Sequence, residues 1–171
     1  MDLKRKSTAT AVRPSAQGEE FARVTIAIME TGHTQGYLRS VCRAGEADLK
    51  GPNGSDDDGE AGSGAPAGES FEACESAIFS GALYALRTGS GLSPDRVGMV
   101  ILDVAGCVGT GGAHGFALAA AYAVWNTFDY TPAEGDVTEI EGWRFDGVRD
   151  VTDAARFAFP GPTTIDSDRP C

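Results

Sequence analysis

Apolar and polar residues alternate from Phe21 to Met29, FARVTIAIM, with Val24, Ile26 and Ile28 two apart around Thr25 and Ala27. That period predicts a half-buried strand. Gly32 and Gly36 then punctuate the chain around His33, and Tyr37 to Cys42 reads as a second, short strand. From Phe71 the spacing becomes helical, through Cys74, Ile78, Ala82 and Ala85. Ser70 is placed to cap that helix, Glu72 and Glu75 lie near its positive end, and Gly89 is placed to stop it. Val97 to Val104, VGMVILDV, is apolar on both faces and predicts a central strand. A glycine-rich crossing, Ala105 to Gly115, leads into Phe116 to Phe128, FALAAAYAVWNTF, a helix apolar on nearly every side. Its five alanines permit close approach to a sheet. Glu139 to Phe145 predicts one edge strand.

Strand, short strand, helix, strand, helix predicts an α+β two-layer sandwich, a small mixed sheet with two helices on one face. The expected domain spans residues 19–146, between a flexible polar arm at 1–18 and a polar tail at 147–171. Residues 51–69, GPNGSDDDGEAGSGAPAGE, have almost nothing to bury and predict a disordered acidic insertion. An EF-hand reading of Asp56, Asp58 and Gly59 fails, because Gly54 and Ala65 stand where the first and last carboxylates belong.

Charge narrows the partners. The 171 residues carry a formal charge of -11. Residues 1–50 hold 8 basic and 6 acidic side chains, and the remainder 6 and 19, so the excess of acid follows residue 50. Such a field repels phosphate backbones and argues against general nucleic-acid binding. No apolar run reaches the roughly 20 residues that a membrane span needs, and no secretory signal opens the chain. Cys42, Cys74, Cys107 and Cys171 form no CxxC pair, and with only His33 and His114 no zinc spacing arises. Reduced thiols in a cytoplasmic protein, with no metal and no cofactor, are the expectation.

Three groups are candidates for chemistry. Gly106, Gly109, Gly111 and Gly112 lie between a strand and a helix start, where backbone amides can gather around a ligand; a tight or flexible turn is the plainer reading. The spacing of Gly109, Gly111 and Gly115 is GxGxxxG, not a dinucleotide fingerprint, and no GxxxxGK[ST] occurs. Asp103, Cys107 and His114 would make a carboxylate, thiolate and base if they converged, whereas Asp103 otherwise caps a strand end and Cys107 is a small loop residue. His33, beside Thr31, Thr34 and Gln35, sits in a turn after a strand, as binding residues and solvated histidines both do. Trp125 is expected in the core and Trp143 packed at an edge.

Several of these residues carry a family likeness. Phe71, Ala85-Leu86 with Gly89, Ile101-Leu102-Asp103, the glycine crossing and Gly115-Phe116 follow in the order of one known domain. The segment resembles domain IV of translation elongation factor G, in the ribosomal protein S5 domain 2-like superfamily. Gly18-Glu19-Glu20-Phe21-Ala22-Arg23-Val24 is similar to that family's GQYARV strand opening, and the likeness covers about residues 18–128. It implies a left-handed βαβ crossover and a strand–helix loop at the domain tip, which in elongation factor G reaches the ribosomal decoding site. A gapless match sets Cys107 where that loop usually carries histidine, and the GTPase and other factor domains have no counterpart here. The expectation is a stand-alone binding module, associated with the ribosome or a protein partner, without its own GTPase. The alternatives are a small enzyme of specialised metabolism using Cys107 and His114, and an accessory subunit forming homo-oligomers through its apolar second helix.

Overall fold

A computed structural model describes residues 4–16, 18–31, 36–40, 48–50, 71–107 and 111–153. The expected insertion at 51–69 therefore lies outside the described residues. The fold is α+β, with two helices packed on a mostly antiparallel sheet. In chain order come β1 (Lys4–Ser15), β2 (Gly18–Glu30), β3 (Tyr37–Ser40), β4 (Asp48–Lys50) and α1 (Phe71–Gly89). A single 3₁₀ turn, Pro94–Arg96, leads to β5 (Val97–Cys107) and α2 (Gly112–Thr127). The short strands β6 (Glu139–Ile140), β7 (Trp143–Phe145) and β8 (Asp150–Asp153) complete the order. The sheet runs β3-β5-β2-β1-β7-β6, with β4 also on β5 and β8 also on β1. Among the described strands, only β3 and β4 run parallel to their neighbour β5.

The largest departure from expectation is β1. Residues 4–15, expected as part of a polar arm, pair along their whole length with β2, from Lys4 opposite Met29 to Ser15 opposite Gly18. Their core-facing positions are small: Ser7, Ala9 and Ala11 lie opposite Ile26, Val24 and Ala22, and all six are buried. The expected tail likewise supplies β8, which pairs with residues 5–8 of β1. The expected edge strand at 139–145 is a hairpin. Glu141 and Gly142 turn it with φ of 50° and 82°, both in the left-handed region that a tight two-residue turn needs.

β5 is a central strand, as its pattern predicts. Val97, Met99, Ile101 and Val104 face the helices, and Ala27, Val100 and Ala105 on the other face are buried too. Ile101 and Val104 are three apart yet share a face because the register skips Leu102 in a bulge. Asp103 is not a strand-end cap, since β5 continues through Cys107 opposite Phe21.

α2 lies over β1 and β2, and α1 packs against α2. Cys74, Ile78, Ala82, Ala85 and Leu86 of α1 join Phe116, Trp125 and the inward strand residues in one core. Most of α2 is buried within the chain itself. At its C-terminal end two guanidiniums meet the outgoing carbonyls: Arg5 donates to Thr127 O at 2.8 Å and Arg149 to Asn126 O at 3.0 Å. Both also bind Asp129, and these hydrogen bonds hold its carboxyl below the usual range. Cations there complement the negative end of the helix.

Glu75 carries a testable cost. Burial, and then the neighbouring Glu72 charge, raise its pKa above the ordinary 4.5. A raised carboxyl favours the fold while protonated, and that contribution is lost as pH rises through the folded-state value. Glu75→Gln is therefore expected to raise the urea midpoint at pH 7 and to lose that advantage below the ordinary carboxylate value. An equal shift at both pH values would sever it from ionisation.

Candidate functional site

The glycine crossing joins β5 to α2 at one end of the sheet, beside the turns of two hairpins. The β1–β2 hairpin closes there, with Ser15 Oγ donating to Gly18 O at 2.8 Å. The β6–β7 hairpin brings Gly142 against Arg13, where an added Cβ would lie 3.4 Å from the side chain. Sequence distance hides this meeting of residues near 15, 111 and 142.

Beneath the crossing lies a cluster that the sequence reading missed. Arg13 and Glu20 are register partners in the first hairpin. Arg13 Nε donates to Glu20 Oε2 at 2.7 Å and NH2 lies 2.5 Å from the same oxygen, with side chains only 18% and 6% exposed. Taking such a pair out of water is costly, and their mutual contact offsets part of that cost. The Arg13 guanidinium also covers the Trp143 ring, 4.7 Å from its centroid. Trp143 is fully buried, not at an edge, and its Nε1–H donates to Gly111 O at 3.1 Å.

Of the described glycines of the crossing, Gly106 and Gly115 are close-packing positions. A Cβ on Gly106 would meet the Phe116 ring at 2.7 Å and Phe21 O at 2.9 Å. Gly111 sits at φ 82° as the residue before α2, and Gly112 is buried inside the first turn. Gly115 lies flat against Trp143, where a Cβ would approach the indole to 2.7 Å. α2 therefore starts at Gly112, four residues before the Phe116 start that the apolar pattern predicts. Gly109 lies outside the described residues.

The three residues of the catalytic reading do not converge in what is described. Asp103 is exposed and paired with Thr25, whose hydroxyl bonds Thr8 at 2.9 Å on the face away from the helices. His114 is exposed on the first turn of α2, in the helix layer on the other side of the sheet. The Cys107 backbone lies four residues beyond Asp103, roughly 13 Å along an extended strand. His33 is outside the described residues. Its flanking Thr31 and Gly36 donate to Arg96 O and Asp95 O, at the start of β5 and so at the far end from Gly111.

Charge at the crossing end is mixed. Glu19, Glu139 and Glu141 are exposed near it, as is Arg144 opposite Glu139, and Lys50 of β4 lies opposite Cys107. Arg13 is answered by Glu20, and His114 is exposed on the first turn of α2. No side chain caps α2 and no acidic residue lies in its first turn. Among the described residues, no three His, Cys, Asp or Glu side chains gather as a metal site would require. No helix among them is long and apolar enough to cross a membrane.

Compared with known proteins, the chain matches no family model, and no curated protein matches it in sequence.

Proposed function

We propose that this chain is a binding module resembling domain IV of elongation factor G, docking to the ribosome or a protein partner through the β5–α2 end, without a GTPase of its own. The observation that carries the reading is the order α1, β5, glycine crossing, α2, set on the residues that carry the likeness. α1 spans Phe71–Gly89, Ile101-Leu102-Asp103 lies in β5, and Gly115-Phe116 is buried near the start of α2. Gly18–Val24, the segment similar to the GQYARV opening, begins β2, which pairs antiparallel with β5. β3 and β4, both before α1 in sequence, run parallel to β5, which follows it.

Binding is favoured over catalysis because Asp103 and His114 stand on different sides of the sheet. The acidic balance suits contact with a protein better than contact with rRNA. Co-sedimentation of the full chain with ribosomes, at low and high salt, tests the reading. Association at low salt that weakens as salt screens it is the expected result. A chain that stays in the supernatant at every salt concentration refutes ribosome docking.

A further inference from the structure

Ser7 Oγ and Asn126 Nδ2 are buried and, among the described residues, have no hydrogen-bond partner. Their residues are 1% and 7% exposed. A buried polar group left unmet is costly, and folded proteins rarely leave one so. Ser7 is not needed for its bulk. Ala9 and Ala11 fill the next inward positions of β1, and alanine at 7 would take the same space without the hydroxyl.

The fold brings the two groups to one place. α2 runs antiparallel to β1, from Gly111 beside Arg13 to Thr127 beside Arg5. It rises roughly 22 Å from Gly111 to Asn126, and roughly six or seven residues of strand cover that length, which sets Asn126 above Ser7. Two guanidiniums fix the placement. Arg5, two residues before Ser7 on the same face, donates to Thr127 O at 2.8 Å. Arg149, just before Asp150 opposite Thr8, donates to Asn126 O at 3.0 Å from the other side. Across the sheet Ser7 meets only Ile26 and Val151, which are apolar. Thr127 Oγ1 is committed to Ala123 O at 2.9 Å. Asn126 Nδ2 is thus the unmet group over the hydroxyl, and the two do not bond directly.

We propose that the end of α2 and β1 enclose a binding site for one ordered water, which bridges Ser7 Oγ and Asn126 Nδ2. A polar pair too far apart to bond directly, yet shut away from solvent, is where such a bridge forms. Asn126 Nδ2 donates to the water oxygen, and Ser7 Oγ takes one of its hydrogens. The other hydrogen meets a carbonyl of the last helical turn, where each oxygen has a second lone pair. The water ties the helix to a strand whose inward side chains are too small to hold it by bulk.

A high-resolution crystal structure of the full chain tests the site directly. The expected result is water density about 2.8–3.0 Å from both atoms. Density absent there, or the two side chains bonded to each other or to other protein groups, overturns the proposal. Urea unfolding gives a second test through its sign. With the bridge present, Ser7→Ala raises the unfolding constant roughly threefold to tenfold, the scale of one net hydrogen bond. A hydroxyl that is merely unmet gives the reverse, since removing it then stabilises the fold, and that result overturns the bridge. Asn126→Ala is measured alone and together with Ser7→Ala. A shared water makes the double variant lose less than the product of the two single losses, whereas losses that multiply place the groups in separate surroundings and overturn the proposal. Should either variant fail to fold, the wild-type density decides.

Discussion

Trp125→Ala is expected to remove about 3–5 kcal/mol, the cost of deleting a large buried aromatic and leaving its cavity. Against a total of about 5–15 kcal/mol for an ordinary domain, that is enough to unfold much of the population under mild denaturant. Trp125 is fully buried and carries more than its area. Tyr84, Tyr122 and Tyr130 surround it with ring centroids at 5.9, 5.1 and 5.8 Å. Its Nε1–H donates to Thr88 Oγ1 at 3.0 Å, tying α2 to the last turn of α1. Urea unfolding followed by far-UV circular dichroism measures the loss. A midpoint within experimental error of the wild type contradicts the packing described.

Gly81→Ala is expected to destabilise by about 2–3 kcal/mol or more, at the upper end of what overpacking costs. The sign is the informative part. At an exposed helix interior the same change gains about 1 kcal/mol, because alanine is the better helix former. Here an added Cβ would fall 2.0 Å from Ala117 O, and backbone cannot swing aside as a flexible side chain can. The two helices must then separate along their contact, so the clash outweighs the propensity. A raised unfolding midpoint would show that the helices cross elsewhere.

The elements with large apolar residues were legible in the sequence, and β1 was not, for a reason visible in its packing. Ser7, Ala9 and Ala11 suffice at the core positions because α2 brings its own alanines close to the strand. A strand that buries only small residues beside a close helix gives no contrast between its faces, and Arg5 and Arg13 at the same parity weaken the pattern further. Similar physics hid the start of α2. Gly112 and Gly115 read as turn residues, but both are buried at the start of α2, Gly115 against Trp143. Asp103, Cys107 and His114 looked adjacent because they fall within twelve consecutive residues, yet pleating and a sheet's thickness separate Asp103 from His114. The Arg13–Glu20–Trp143 cluster was recoverable in part. Pro14, Ser15 and Gly18 between runs of opposite charge form a hairpin signal that pairs residue 13 with residue 20. No local pattern could have brought Trp143 to them.

The position of β1 has a consequence for biosynthesis. One side of it joins β2 as soon as the hairpin emerges, but the other is covered by β7 and β8, which are translated last among the described elements. A nascent chain can therefore complete both helices and five strands while still exposing a bare strand edge, a template for pairing with neighbouring chains. Lys4, Arg5 and Lys6 lie on that edge, where cationic side chains discourage aggregation until the closing strands arrive.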